Sequence, residues 1–251
     1  MIEVFEGRLG GGKSYSATSR ALAHLAAGGY LFTNMLLNWE NCKKYCRKHY
    51  KVELQDKQYI FVEEKDIPRI NELLPRGVGV TNILCILDEV HLWFNARDWA
   101  QASRDLLAYL TQSRKMKVDL IFISQSINNI DKQFVRLVQY IWRFRDMQRF
   151  RFPILGFSWP FPQILALHYD YDGKTLMMRH WVKKSQEVFD CYDTNSLLKP
   201  IKFAGDTLDE VVLDKVSTTN YLWSRVKPYL RIIVISSLFA ILALLKIFLN
   251  Y

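Results

Sequence analysis

The sequence has few cysteines. Among its 251 residues only Cys42, Cys46, Cys85 and Cys191 occur, and Cys85 lies within an apolar run. Nothing in this set indicates a framework of disulfides, so we expect a reducing compartment. Cys42, Cys46 and His49 have a spacing that suits three zinc ligands. An obvious fourth ligand is lacking, and we favour ordinary helix positions for all three residues.

A secretory signal is lacking as well, since Met1 leads directly into the first motif, and we expect none. Half of the residues are hydrophobic and 14% are aromatic, which argues against wholesale disorder. The length suits one large domain or two small ones.

The 34 Lys and Arg residues exceed the 25 Asp and Glu residues, for a net charge of +9. This surplus favours nucleic acid, an acidic partner or an anionic membrane face, without choosing among them.

The strongest motif lies within the first fourteen residues. Residues 2–6 predict a short strand, and the next eight residues have the pattern G-x-x-x-x-G-K-S: Gly7, Arg8, Leu9, Gly10, Gly11, Gly12, Lys13 and Ser14. The glycines let backbone N–H groups cradle phosphates, and a helix that begins near Lys13 adds its positive dipole end. We expect this loop to bind ATP, with Lys13 reaching the β- and γ-phosphates and Ser14 ligating Mg²⁺.

A second motif ends a buried strand. Residues 82–89 read Asn-Ile-Leu-Cys-Ile-Leu-Asp-Glu, and such a continuous apolar run is typical of a strand buried on both faces of a parallel sheet. Asp88 and Glu89 follow at the carboxyl end, where open α/β sheets place their ligands. This is a Walker B pattern, in which Asp88 completes the Mg²⁺ site and Glu89 polarises the attacking water. The alternative is a carboxylate pair that caps a helix.

Two further polar residues complete the predicted site. Residues 118–124 predict another buried strand, and Gln125 follows it in a position suited to sensing the γ-phosphate; the alternative is an ordinary loop glutamine. Arg114 stands near the end of a predicted helix, 99–116, and is a candidate arginine finger acting across a subunit boundary. The same position also suits an arginine that interacts with the dipole of its own helix.

The remaining segments predict an α/β fold with a mainly parallel central sheet flanked by helices. The expected elements are a helix over 15–27, a strand over 30–34, an exposed helix over 39–50, a short strand over 58–62, a short helix over 67–74, and a hairpin of 165–170 with 174–181 around Asp172-Gly173. Residues 138–152 interleave arginines with aromatics. Stacking platforms for single-stranded nucleic acid have this composition, but so does an amphipathic strand, which we favour.

The tail predicts a membrane segment. Residues 232–245 carry no charge, and Arg231 and Lys246 bracket them. We therefore predict an ATPase domain over 1–200, a linker and basic juxtamembrane segment over 201–228, and a transmembrane helix over 229–250. The basic residues on the amino-terminal side of the helix keep the large domain in the cytoplasm by the positive-inside rule. An amphipathic or core helix is the alternative.

With these motifs together, the chain resembles the zonula occludens toxin (Zot-like) domain, the filamentous-phage assembly ATPase of the bacterial inner membrane. That family is similar to the ring motors of the FtsK/HerA class. The resemblance covers about residues 1–200 and the membrane segment. Its specific marks are the phosphate loop near residue 7, Thr33-Asn34, residues 83–89, residues 123–125, Tyr192-Asp193-Thr194 and the C-terminal anchor.

The resemblance implies ATP-driven extrusion of the virion, with major coat protein loaded onto single-stranded DNA. The implied partners are the membrane lipid, the coat protein, packaging and exit-channel proteins, and further copies of this chain in a ring, taken as a hexamer. Family members commonly continue into a periplasmic region, whereas this sequence stops at Tyr251. We therefore expect any periplasmic link to an exit channel to come from another protein or to be absent. A membrane-anchored DNA motor, with direct DNA contact, and a nucleotide-gated scaffold without turnover are the alternatives.

Overall fold

The structure is a computed structural model that describes residues 1–74, 82–94, 104–149, 159 and 161–192. Within these residues the chain forms eight strands: β1 (Ile2–Glu6), β2 (Tyr30–Thr33), β3 (Tyr59–Phe61), β4 (Ile83–Leu87), β5 (Val118–Ser124), β6 (Tyr140–Asp146), β7 (Gln163–Asp170) and β8 (Leu176–Lys183). The same residues contain six α-helices: α1 (Lys13–Ala26), α2 (Trp39–Tyr50), α3 (Ile70–Leu73), α4 (Arg104–Gln112), α5 (Lys132–Val135) and α6 (Gln186–Phe189).

All these strands join one sheet in the order β3-β2-β4-β5-β1-β6-β7-β8. The pairs from β3 to β6 are parallel, while β7 and β8 continue the sheet as an antiparallel hairpin. The predicted α/β fold with a mainly parallel sheet is therefore confirmed, and so is the hairpin. β1 lies between β5 and β6, so the loop that follows β1 has polar strand ends on both sides.

The central strands are buried on both faces. Along β4, Ile83, Cys85 and Leu87 pack into one apolar cluster with residues of α4 and α5. Leu84 and Ile86 pack into a second cluster with residues of α1 and α2 on the other face. Because every residue of β4 is buried, the strand requires a continuous apolar run and not an alternating pattern.

The first helix ends at a pair of glycines, Gly28 and Gly29. Gly28 has a φ of 83°, which a side chain would disfavour. Its N–H donates to the Leu25 carbonyl at 3.0 Å, and the Gly29 N–H donates to the His24 carbonyl at 3.1 Å. These two bonds form a Schellman motif, which satisfies carbonyls in the last turn of α1 and turns the chain into β2.

Two predicted helices differ from the observed elements. The predicted helix over 67–74 is instead a 3₁₀ helix over Glu64–Arg69 followed by the single turn of α3. Pro68 lies inside the 3₁₀ segment, and a proline has no N–H to donate to an α-helical bond. For the predicted helix over 99–116, residues 99–103 lie outside the described residues, and the helix ends at Gln112. A turn then leads to Lys117, whose φ is 54°.

The predicted preference against zinc agrees with the packing of α2. Cys42 and Cys46 are buried, and their thiols donate to the carbonyls of Cys191 at 3.6 Å and of Leu22 at 3.7 Å. His49 instead lies on the surface with its Nε2 2.5 Å from Glu187 Oε2. No cluster of three or more metal-ligating side chains occurs in the part of the chain that the structure describes.

The predicted linker over 201–228 and the predicted transmembrane helix over 229–250 lie outside the described residues. So do Asp193 and Thr194, whereas Tyr192 is described and forms an isolated antiparallel bridge with Leu37. Among the residues described, no helix has the length and apolar character that a membrane span requires. The domain boundaries and the anchor therefore stay predictions.

Candidate active site

The loop between β1 and α1 depends on glycine at two close approaches. Gly12 has a φ of 102°, and a Cβ atom there would lie 2.5 Å from Ile164 Cδ1. At Gly7 a Cβ atom would lie 2.8 Å from the carbonyl oxygen of Phe144. Both contacts are shorter than side chains tolerate, so the loop packs against β6 and β7 only as the glycine-rich sequence allows.

Lys13 is held against this loop. Its buried ammonium group donates to the carbonyl oxygens of Gly7 at 2.8 Å and Arg8 at 3.3 Å. Burial lowers the pKa of Lys13, while the carboxylates of Glu89 and Asp88 raise it in opposition. Because the ammonium already lies at the loop, a phosphate that enters the loop meets a positioned cation and displaces only two carbonyl contacts.

The two predicted metal ligands meet at one point. The hydroxyl of Ser14 donates to Asp88 Oδ2 at 3.2 Å, although the two residues are 74 positions apart in the chain. Asp88 Oδ1 accepts from the Glu89 N–H at 2.8 Å. Burial raises the pKa of Asp88, and the nearby Glu89 carboxylate raises it further. A half-buried pair of oxygen ligands fits Mg²⁺, whose positive charge would offset the cost of removing the Asp88 carboxylate from water.

Glu89 is strained and incompletely paired. Its backbone has φ 49° and ψ 39°, a left-handed conformation that non-glycine residues rarely adopt. Its buried Oε2 atom has no hydrogen-bond partner among the described residues. The nearby His91 Nδ1, at 3.3 Å, is close enough for an ion pair but lacks hydrogen-bond alignment and is itself unpartnered. Strain and an unsatisfied carboxylate together are typical of a functional side chain.

Asn34, which the sequence marks only through the family resemblance, is hydrogen-bonded to the backbone of Asp88. Its side-chain amide donates to the Asp88 carbonyl at 3.1 Å, and its Oδ1 accepts from the Asp88 N–H at 2.7 Å. β2 lies beside β4, so an asparagine directly after β2 reaches the first residue beyond β4. This pair of bonds fixes the backbone that carries the Walker B carboxylates.

Replacing Asn34 with Ala is expected to reduce kcat/KM for ATP about tenfold, because each lost bond leaves a backbone group of Asp88 unpaired at a cost of roughly 1–3 kcal/mol. Steady-state phosphate release measures this effect. Asn38→Ala is the matched control, since Asn38 caps α2 through Asn41 and does not contact the site. Equal activity of the two variants would contradict the role of Asn34.

Gln125 follows β5 at the same edge of the sheet as the phosphate loop. Ser124, the residue before it, pairs with Glu6, the residue before Gly7. The segment beyond Gln125 is tethered there as well, because the N–H of Ile127 donates to Glu6 Oε1 at 3.1 Å. The side chain of Gln125 is exposed, and its role as a γ-phosphate sensor stays a prediction.

Arg114 lies at the opposite edge. It is exposed in the turn that precedes β5, and its carbonyl accepts from the Lys117 N–H at 3.3 Å. The seven residues of β5 separate this turn from the phosphate-loop edge, a distance of about 20 Å at roughly 3.3 Å per residue. Arg114 therefore cannot reach the site of its own chain, and a role as an arginine finger requires a neighbouring subunit.

The arginine- and aromatic-rich stretch forms a strand, as predicted, over β6 (Tyr140–Asp146), and Met147–Arg149 after it form a 3₁₀ turn. Arg143 donates from Nε to Glu6 Oε2 at 2.8 Å, and its guanidinium carbon lies 4.5 Å from the centroid of the Tyr169 ring. Arg143 thus supports the end of β1. Arg145 is exposed, and residues 150–152 lie outside the described residues.

Comparisons with known proteins identify the family of this chain. The family model described as zonular occludens toxin (Zot) matches residues 1–159. The Gene 1 protein of Salmonella phage IKe is 28% identical over 214 residues, which cover 78% of this chain and 57% of that protein. The Gene 1 protein of Enterobacteria phage M13 is 25% identical over 209 residues, covering 75% and 57%. The chain thus spans about 57% of the length of these curated relatives.

A solved structure also aligns with this chain. It is the N-terminal domain of zonular occludens toxin from Neisseria meningitidis, which aligns with a TM-score of 0.49 and 15% sequence identity. The alignment covers 76% of this chain and 98% of that domain.

Proposed function

The chain belongs to the zonular occludens toxin (Zot) family, and we propose that it is a membrane-anchored ATPase that powers the assembly and extrusion of filamentous phage virions. The observation that carries the proposal is the contact of Ser14 with Asp88, 3.2 Å apart, with Lys13 buried on the loop beside them. A phosphate-binding loop and a Walker B carboxylate meet in this way where a nucleotide triphosphate and Mg²⁺ are bound together.

In this account each side chain of the site has one role. Gly7 to Ser14 bind the phosphates of ATP. Ser14 and Asp88 would hold Mg²⁺, which would supply positive charge to the phosphate oxygens. Glu89 orients the attacking water and accepts its proton. Asn34 holds the backbone of Asp88 in place.

Two residues connect hydrolysis to assembly. Gln125 senses the γ-phosphate at the end of β5. Arg114 acts in trans on the site of a neighbouring copy, which its position at the far edge of the sheet supports. A ring of copies of this chain, a hexamer in the simplest form, would then couple each hydrolysis event to the next subunit.

The relatives support a function in phage assembly. They are Gene 1 proteins of phages, and the family is that of filamentous-phage assembly. We propose that residues 229–250 anchor the chain in the lipid of the host inner membrane, with the ATPase domain in the cytoplasm. The partners are the major coat protein, packaging and exit-channel proteins, and the single-stranded DNA that is packaged.

Stimulation of the ATPase by its cargo tests this function. Purified full chain in detergent should hydrolyse ATP faster when single-span coat protein is added, and coat protein should crosslink to it. Stimulation by single-stranded DNA alone, lost in Arg145→Ala, would favour a DNA motor instead. Hydrolysis that responds to neither would contradict the assembly function.

Ring formation is a separate prediction. Mass measurement of the full chain in detergent with ATP and Mg²⁺ should detect an oligomer, because Arg114 reaches a site only in a neighbouring subunit. Arg114→Ala should keep the oligomer and lower the hydrolysis rate, by about 10³-fold or more if Arg114 is the finger. Lys115→Ala, a neighbouring charge change, is the control. Monomers that hydrolyse ATP at the full rate would contradict the ring.

A further inference from the structure

We propose that Arg149 is a positioning residue of the nucleotide site, which holds the crest of the phosphate loop in the conformation that binds phosphate. This inference rests on the proposed ATPase function. In the sequence, Arg149 belongs to the arginine- and aromatic-rich stretch that suggested a nucleic-acid contact. In the structure its guanidinium lies on the loop between β1 and α1, where Nη1 donates to the Leu9 carbonyl at 2.8 Å.

The contact determines the direction of one loop N–H. The Leu9 carbonyl and the Gly10 N–H belong to the same planar trans peptide unit and so point in opposite directions. Because Arg149 holds the Leu9 carbonyl, the Gly10 N–H points away from Arg149. A loop of this motif binds phosphate through such N–H groups. Arg149 therefore pre-orders a phosphate donor that would otherwise rotate with the flexible glycines.

The absence of a side chain at Gly10 leaves room for the guanidinium of Arg149. The φ of Gly10 is 67°, and a Cβ atom there would lie 2.1 Å from Arg149 Nη2. The guanidinium thus occupies the space that a side chain at Gly10 would need. The lack of a side chain at this loop position serves the approach of Arg149 as well as the backbone conformation.

A buried ion pair anchors the turn that carries Arg149. Asp146, at the end of β6, lies 2.6 Å from the ammonium of Lys184, and the two side chains are only 11% and 13% exposed. Asp146 also accepts from the Gln148 N–H at 3.1 Å. The turn is thus fixed to two strands, while the Arg149 side chain itself is 65% exposed. An exposed arginine on a fixed turn can hold the loop without being part of the core.

Calorimetric titration of the full chain in detergent with a non-hydrolysable ATP analogue and Mg²⁺ tests the inference, and the Kd values below refer to that analogue. Arg149→Ala should raise the Kd for ATP about tenfold, since it removes a hydrogen bond from a charged donor. Arg149→Lys, which keeps the charge but not the planar fork, should raise it about threefold. The kcat at saturating ATP should stay within about twofold of the wild type, and the melting temperature should be unchanged. A merely structural role would lower the melting temperature instead.

The control variant is Arg145→Ala, which makes the same charge change at an exposed site on β6, the strand before the turn that carries Arg149, and should leave the Kd unchanged. Wild-type affinity in Arg149→Ala, or an equal loss in Arg145→Ala, would overturn the inference. If Arg149→Ala fails to fold, Arg149→Lys carries the test, and wild-type affinity there overturns it. Lys13→Ala, measured in parallel, separates the two proposals. Loss of binding in Lys13→Ala alone refutes the role of Arg149, whereas a wild-type protein that binds no ATP refutes the ATPase itself.

Discussion

Replacing Glu89 with Gln is expected to leave ATP binding intact and to slow hydrolysis by about 10²- to 10⁴-fold, the usual contribution of a general base. The substitution keeps the size and the backbone of the residue but removes the charge. The Glu89 side chain is 27% exposed, and its Oε2 makes no hydrogen bond among the described residues although His91 Nδ1 lies 3.3 Å away. The carboxylate therefore keeps the capacity to accept a hydrogen bond from a water molecule that attacks the γ-phosphate. The strained backbone at φ 49° holds it at the end of β4.

The measurement is the rate of phosphate release at saturating ATP, together with the Kd for ATP. Glu64→Gln, at an exposed position in the 3₁₀ helix, is the matched control and should behave as the wild type. In a phage-producing cell, Glu89→Gln should trap ATP and stall extrusion. A variant that hydrolyses ATP at the wild-type rate would remove Glu89 from the mechanism. A variant that stops hydrolysis but still supports extrusion would show a scaffold instead of a motor.

Replacing Lys13 with Ala is expected to weaken ATP binding by about 30- to 4,000-fold, corresponding to the roughly 2–5 kcal/mol lost when one member of a buried charge pair is removed. Lys13 is 6% exposed and hydrogen-bonded to the Gly7 and Arg8 carbonyls. Its ammonium is therefore fixed at the loop before nucleotide arrives, and a triphosphate gains its full attraction. Without it, the phosphates meet a loop flanked by the carboxylates of Asp88 and Glu89.

Calorimetry with a non-hydrolysable ATP analogue and Mg²⁺ gives the dissociation constants of the wild type and of Lys13→Ala directly. Lys57→Ala, at an exposed position, removes one positive charge away from the site and should change the affinity little. The melting temperature of Lys13→Ala should remain close to that of the wild type. Burial disfavours the charged form of Lys13, so without nucleotide the buried ammonium adds little to the stability of the fold. An unchanged affinity would mean that the loop does not bind phosphates.

The sequence predicts the centre of the site because local chemistry determines it. β1 begins and ends at the expected residues, Ile2 and Glu6, and α1 begins at the expected Lys13. A strand followed by a glycine-rich turn and a helix requires no distant partner to be recognised. β4 is equally predictable, because a strand buried on both faces consists mostly of apolar residues.

Other features depend on contacts between distant residues and have no local signal. The pairing of Asn34 with Asp88 follows from β2 lying beside β4. The contact of Arg149 with Leu9 follows from β6 lying beside β1. A polar residue directly after a parallel strand is the local signal for a site residue. It indicates Asp88 and Gln125, and it applies equally to Asn34. Strand order, which decides such neighbours, is set by long-range packing.

The most direct test of the account is phosphate release from ATP by the purified full chain in detergent. The account predicts release that requires Mg²⁺, stops when the metal is chelated, and falls to background in both Lys13→Ala and Glu89→Gln. Mg²⁺-dependent release of the same rate in all three proteins, or no release by the wild type with coat protein present, would contradict it.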